Sequence, residues 1–451
     1  MSNNSSLYTN LRKELEEISL VDAHNHLPKE EDWVAEQDDF TSLLGYAEED
    51  LVIAGMPLDG LPGNHDNRWK VDIGYDSKNA ITVEEKWELI KPYWPYVKNI
   101  GSGQIVRTVL KLLFDCDDLN DITVPTIQDK INDYKKPGAY KKLLKEKANI
   151  GTVCNVVMNI NECPSTELLA PQLYTDTYSM IQKRRDIYRL EQESGKNIYS
   201  LETYVKALDT LIEKSVEMGL VGLKWHIWPY LRDFNFEITD QFEAAKSLDS
   251  ILKLPSRGGA GSAAAVGINE MVPFQNYIQN HLVQLSIDLD LPIQIHTGTL
   301  GLSYGGQLNN GDPSKLMPLF LRYPQAKFNL LHASFPYSGV LCAISKIFPN
   351  VSINASWLET LSPESYKQFM KDWLTSIPTN KIIAYGADQF NPVLVPAVAH
   401  RARNLLAEVL TDLVTEGKMT EGEAVFAADC LLRKNATELW KLNSRNIPNK
   451  D

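Results

Sequence analysis

Residues 18–26 read ISLVDAHNH. A short apolar run that ends in polar residues has the form of a fully buried strand. Side chains alternate along a strand, so Asp22, His24 and His26 share one side of it. Two imidazoles on one side at a strand end can grip one cation, and neutral imidazole suits zinc, iron, nickel or manganese. His-x-His also arises from two unrelated polar residues at a strand end, so the decision rests on what the other strands carry.

Outward from this stretch, the chain splits into an irregular part and a regular one. A short amphipathic helix over 7–18, with Leu11, Leu15 and Ile18 at helical spacing, leads into the strand. Residues 28–148 then break the rhythm with Trp, Tyr, acids and Pro/Gly interruptions. Helices are predicted at 83–100, with a break at the PYWP stretch, at 105–116 and at 127–136. No linker-like composition bounds this part, so it reads as a helical insertion within one domain spanning 1–451.

From 149 the pattern is strand then helix. IGTVCNVVM (150–158), a segment near 172–180, LVGLKWHIW (220–228), LPIQIHTG (291–298), AKFNLLHAS (326–334), NVSINAS (350–356) and KIIAYGADQF (381–390) read as strands. Helices are expected at 200–219, with Ser200 as N-cap, and at 270–290, 314–322, 338–348 and 366–374, followed by two long C-terminal ones. RGGAGSAAAVG (257–267) reads as a loop, since a phosphate cradle needs a Lys-Ser/Thr or strand–helix context that is missing here. Strands thus end near 26, 158, 179, 226, 296, 332, 354 and 388. Eight strands, each followed by helix, predict an α/β fold of the (β/α)8 TIM-barrel type. An open doubly wound sheet would alternate too, but polar residues cluster at nearly every strand end, and a barrel gathers those into one mouth.

The net charge of −13 argues against nucleic acid and anionic membrane surfaces as partners. Five scattered cysteines (116, 154, 163, 342 and 430) form no CxxC, which fits a reducing cytoplasm. The opening MSNNSSLYTNLRKELEEI lacks the apolar core of a signal peptide, and no run of about 18 apolar residues could span a membrane. The expected partner is a small-molecule substrate; self-association stays open.

Four strand ends carry His or Asp: His24 with His26, His296, His332 and Asp388. In a barrel these ends meet on the face where active sites sit. These imidazoles and the carboxylate make an N/O set for a divalent transition metal, which would turn a bound water into a hydroxide nucleophile near neutral pH. Singly, His296 could be a hydrogen-bonded core histidine and Asp388 a helix cap. Four such coincidences at strand ends are a poorer account.

The ordered set His-x-His, His, His, Asp resembles the amidohydrolase superfamily, in its amidohydrolase-2 branch. PIQIHTGTLG, NLLHASFPY, NVSINAS, YGADQF and KNATELWKL are similar to stretches of the amidohydrolase domain fused to glutamine-synthetase-like proteins. KWELIKPYWPYVKNIG in the insertion resembles the same hydrolases and, more distantly, uronate isomerases. The resemblance implies a divalent ion, zinc before manganese or iron, bound by His24, His26, His296 and Asp388. It also implies that Asp388 takes the proton of the bound water, that His332 acts on the substrate or at a second ion, and that Lys224 stands where some members carry a carboxylated lysine. Leu223 and Trp225 flank Lys224 in a strand expected to be buried, which disfavours a snorkelling surface lysine. His226 faces the same way and would line the mouth.

Related domains carry a Tyr-Arg pair after the fourth strand, here Tyr230 and Arg232. Arginine suits bidentate carboxylate binding, although a surface pair with Asp233 or Glu237 would also account for it. Tyr337, Trp357 and Arg107 are further candidates for the pocket wall, and His65, His281 and His400 are read as structural. No GxSxG occurs. The reading is a metal-dependent hydrolase of an amide or lactone. A decarboxylase or sugar-acid isomerase on the same site, or a non-catalytic binding protein on an enzyme barrel, are the alternatives.

Overall fold

The structure, a computed structural model, describes residues 2–57, 82–162, 165–226, 232–254, 264–301 and 307–447. Tyr230, His65 and most of the 257–267 tract lie outside these residues. Eight strands form one sheet in sequential order: β1 (Leu20–Asn25), β2 (Ile150–Val157), β3 (Leu169–Tyr174), β4 (Gly222–Trp225), β5 (Ile293–Ile295), β6 (Phe328–Leu330), β7 (Val351–Asn354) and β8 (Ile382–Ile383). The registered pairs are parallel and helices connect the strands, which makes the fold a (β/α)8 barrel. Among the described residues no helix is long and apolar enough to cross a membrane.

Two compact units divide the chain. The first comprises 1–155, 300–304 and 354–436. Here β1 is buried throughout and pairs with β2, as its apolar character requires. Its other edge is closed by the segment after β8: Ala23 N donates to Tyr385 O, Asp388 N to His24 O and His26 N to Gln389 O. Gly386 permits that approach, because a Cβ there would lie 2.0 Å from Ser356 Oγ and 2.9 Å from His24 N. The helix Ser2–Glu17 buries Leu11 and Leu15. The fully buried Arg403, on the helix Val395–Thr415, donates to Leu15 O, Ile18 O and Ala148 O, satisfying carbonyls at the entry to β1 and β2.

Between β1 and β2 the described residues carry a series of short helices. The 83–100 helix breaks at its proline-rich centre into Val83–Ile90 and Trp94–Val97. Each piece supplies an indole and a lysine to one carboxylate: Trp87 and Lys91 donate to Asp121, Trp94 and Lys98 to Asp118. Lys135 is buried because its ammonium reaches Trp33 O at 2.8 Å and Asp38 at 3.0 Å, so its charge is paired.

The second unit comprises 156–299, 305–353 and 437–451. Its strands β3–β7 run in register, with Lys224 opposite Gln294, Gln294 opposite Asn329 and Asn329 opposite Ser352. These side chains form a polar chain: Gln172 Nε2 donates to Gln294 Oε1, Gln294 Nε2 to Asn329 Oδ1 and Asn329 Nδ2 to Ser352 Oγ. Ser200 caps the helix Leu201–Glu217, accepting from Thr203 N. β3 begins and ends earlier than the sequence suggests, with the short helix Asp176–Ser179 where the strand was expected to close. The strand runs through Pro171. A proline argues against strand in a sequence, yet here its carbonyl still serves β4 by accepting from Val221 N at 2.9 Å.

Candidate metal centre

In the first unit, β1 delivers His24, the residue directly after it is His26, and the segment after β8 delivers Asp388. The two histidine Nε2 atoms lie 3.2 Å apart, and each lies 3.4 Å from Asp388 Oδ1. Donors bound tetrahedrally at 2.0–2.1 Å from a zinc-sized ion stand about 3.3 Å apart. The triangle therefore has the edge lengths of three ligands around one ion, and its residue types suit a divalent transition metal. Burial supports this: His24 is 1% exposed and Asp388 5%.

Asp22 and Asn25 hold the triangle in place. Asn25 Nδ2 donates to Asp22 Oδ2, Ala387 N to Asp22 Oδ1, and both His26 N and Gln389 N to Asn25 Oδ1. One aspartate and one asparagine of β1 thus clamp the backbone on either side of Asp388. Burial pushes the Asp22 carboxyl up to about 7, against the pull of its hydrogen bonds to Ala387, Asn25 and His24. Phe390 stacks on His26 at 5.1 Å, and Trp357 packs on Tyr46 at 5.0 Å. Glu359 is fully buried, with no hydrogen-bond partner at either carboxylate oxygen. Burial, and then the Asp22 and Asp388 charges, hold its pKa well above the usual carboxylate value. Arg107 stays in the insertion, donating to Asp117 O and Asn99 Oδ1 and pairing with Asp118 at 3.8 Å.

The second unit gathers the other predicted residues. The His296 ring lies 4.2 Å from that of His332 and 4.8 Å from that of His226, which meets Tyr174 edge-on at 5.9 Å. His226 N donates to Asp176 Oδ2. His296 Nε2 lies 2.8 Å from Thr299 O, which makes it the protonated nitrogen and leaves the lone pair on Nδ1. Burial, then His332, His226 and Lys224, hold His296 well below its ordinary pKa, so it is neutral, as a ligand must be. Lys224 is fully buried between Leu223 and Trp225 on β4.

Arg232 donates to Gln275 Oε1 at 3.2 Å and to Asn235 O at 2.5 Å, with its guanidinium 5.6 Å over the Phe236 ring. Burial lowers its pKa, while Asp233 and Glu237 raise it. Tyr337 reaches Leu308 O at 3.3 Å. His281 and His400 make local contacts, to Asp209 at 2.6 Å and to Arg12 at 3.4 Å respectively.

The sequence reading passed over Asn25, Glu359 and Gln275 as site residues. Asn25 stood within the deciding motif and could have been found from its place between the two histidines. Glu359 and Gln275 sit in ordinary helical sequence and carried no such signal.

The chain matches no protein-family model. Over 155 residues it is 28% identical to protein fluG of Emericella nidulans, a stretch covering 34% of this chain and 18% of that protein. The match thus spans less than a fifth of the curated relative's length. The fold is similar to a uronate isomerase of Thermotoga maritima (TM-score 0.75, 15% identity, 96% of this chain and 97% of that one). A glucuronate isomerase of Caulobacter crescentus is equally similar (TM-score 0.75, 19% identity, 98% and 95%). A Lactobacillus casei protein assigned as a metal-dependent hydrolase follows (TM-score 0.62, 13% identity, 96% and 98%). What the chain shares with these proteins is the (β/α)8 barrel over nearly its whole length.

Proposed function

We propose that the chain is a metal-dependent hydrolase acting on a C–N or C–O bond of a small carboxylate-bearing substrate. The observation that carries this is the His24–His26–Asp388 triangle, whose edges match the donor spacing around one divalent ion. A barrel opens the C-terminal ends of its strands to one face. On that ground His296, neutral and at the end of β5, is assigned as the further ligand. A divalent ion held there supplies Lewis acidity and lowers the pKa of a water.

The chain's own residues do the rest. Asp388 receives the proton released by the attacking water. His332, beside His296, polarises the scissile group or protonates the departing atom. Lys224 brings positive charge, and Arg232 presents a planar fork for the substrate carboxylate.

Purified protein should hold about one divalent ion per chain by plasma mass spectrometry, and His24→Ala or Asp388→Asn should lower occupancy at least tenfold. Full occupancy in both variants would remove the triangle as a metal site. His332→Ala should abolish turnover and retain the metal; joint loss would make His332 a ligand. Arg232→Lys keeps charge but loses the fork, so kcat/KM should drop on a carboxylate substrate and hold on its neutral analogue.

A second reading, a sugar-acid isomerase, is favoured by the similarity of fold to two such enzymes over nearly the whole chain. Product mass separates the two: hydrolysis adds one water to the substrate, whereas aldose–ketose conversion leaves the mass unchanged.

A further inference from the structure

Beside Arg232 the second unit buries polar atoms that serve no partner. Trp225 Nε1, Gln275 Nε2 and both amide atoms of Gln279 are sealed from solvent and make no hydrogen bond. All three residues are 0% exposed. Gln275 and Gln279 lie four residues apart on the helix Val272–Asp288, so they share one face, one turn apart. Arg232 and Phe236 link them to Trp225. Phe236 meets the Trp225 ring edge-on at 5.5 Å and carries the Arg232 guanidinium 5.6 Å above it, and Arg232 donates to Gln275. Asn280, on the same helix, donates to Phe236 O at 3.4 Å and to Glu237 O at 3.1 Å, which ties residues 236–237 to the helix.

The chemistry of these atoms is one-sided. An indole N–H can only donate. The Gln275 amide cannot flip, because its oxygen accepts from Arg232, so its nitrogen must donate as well. Gln279 can offer either end. Leaving a buried donor unmade is costly, and the shared helix face together with the Arg232–Phe236–Trp225 contacts brings these three residues to one side of Arg232. The neighbouring guanidinium selects an anion over a neutral carbonyl.

We propose that Trp225, Gln275 and Gln279 form, beside Arg232, a buried binding site for a small carboxylate at the end of β4. The inference rests on the reading of Arg232 as an anion receptor but not on the metal. It makes Gln275 a positioning residue as well, since its oxygen orients the Arg232 fork while its nitrogen faces the anion.

Formate is the probe. The full chain is melted across a sodium formate series at constant ionic strength, with sodium chloride as balance, in metal-loaded and chelator-treated samples. Formate should raise the melting temperature saturably in both. Trp225→Phe removes the N–H and keeps the ring, and Gln279→Leu replaces the orphaned amide by an apolar side chain of similar size. Each should weaken formate binding at least fivefold, and Gln279→Leu should melt no lower than the parent without formate. Should a variant fail to fold, saturation-transfer NMR of formate on the unaltered protein decides: a signal abolished by a small dicarboxylate supports the site, and its absence overturns it. A formate response no larger than that of chloride, or variants that titrate like the parent, would sink the proposal. Metal bound at one per chain without any formate response removes this site alone. A formate response in protein that takes up no metal even when loaded removes the metal centre alone.

Discussion

Asp388 sits at φ +50°, His332 at +61° and Trp357 at +71°, all at strand ends. The left-handed region is tolerable for Asp but uncommon for bulky side chains, and such residues cost of order 1–3 kcal/mol each unless their surroundings hold them. For Asp388 the holding is visible, since Asp22 and Asn25 bond the backbone on both sides of it. Glu359 poses a different cost. Its folded pKa lies above the ordinary 4.5, so the folded state binds the proton more tightly than the unfolded chain does. Its contribution is therefore present in full below about pH 4.5 and is lost as pH rises through the folded value, by roughly 1.4 kcal/mol per pH unit in that window. Glu359→Gln, which mimics the neutral acid, should match the parent near pH 4.5 and melt progressively higher than it as pH rises. Parallel melting curves across pH, on chelated protein, would show that Glu359 is not held neutral.

At the level of elements, β1 and the segment after β8 act as one device. Asn25 is its rivet, accepting from His26 N and Gln389 N at 3.0 and 2.8 Å. Asn25→Ala leaves Gln389 N without its acceptor and takes one donor from Asp22, while His26 N keeps Gln389 O, so it should destabilise by roughly 1–3 kcal/mol and weaken metal affinity about 10–100-fold. Denaturant midpoints and metal titration check the two effects separately. Ser200 is a purely structural counterpart: its hydroxyl caps the helix Leu201–Glu217 far along the chain from the ligands. Ser200→Ala should cost about 1 kcal/mol and leave metal content at the parent level.

For the molecule as a whole, a metal that binds only the folded chain must raise its stability. At a free concentration one hundred times the dissociation constant the gain is about 2.7 kcal/mol, so chelation should lower the melting temperature and zinc, manganese or iron should restore it. Unchanged melting would count against a resident ion. The sequence by itself determined the strand-and-helix alternation, and with it the barrel, because periodicity and apolar runs are local and recur eight times. It also marked His24, His26 and Asp388, since strand ends that carry His or Asp can be read one at a time. That β3 runs through Pro171 was not legible locally: Val221 N, just before β4, finds its acceptor on a proline that local rules would keep out of a strand. The clamp of Asn25 on Gln389, the stranded carboxyl of Glu359 and the cradle of Trp225, Gln275 and Gln279 were likewise set only by tertiary structure. Their meaning lies in which hydrogen bonds are made or withheld between segments distant in the chain, and no local pattern of residues encodes that.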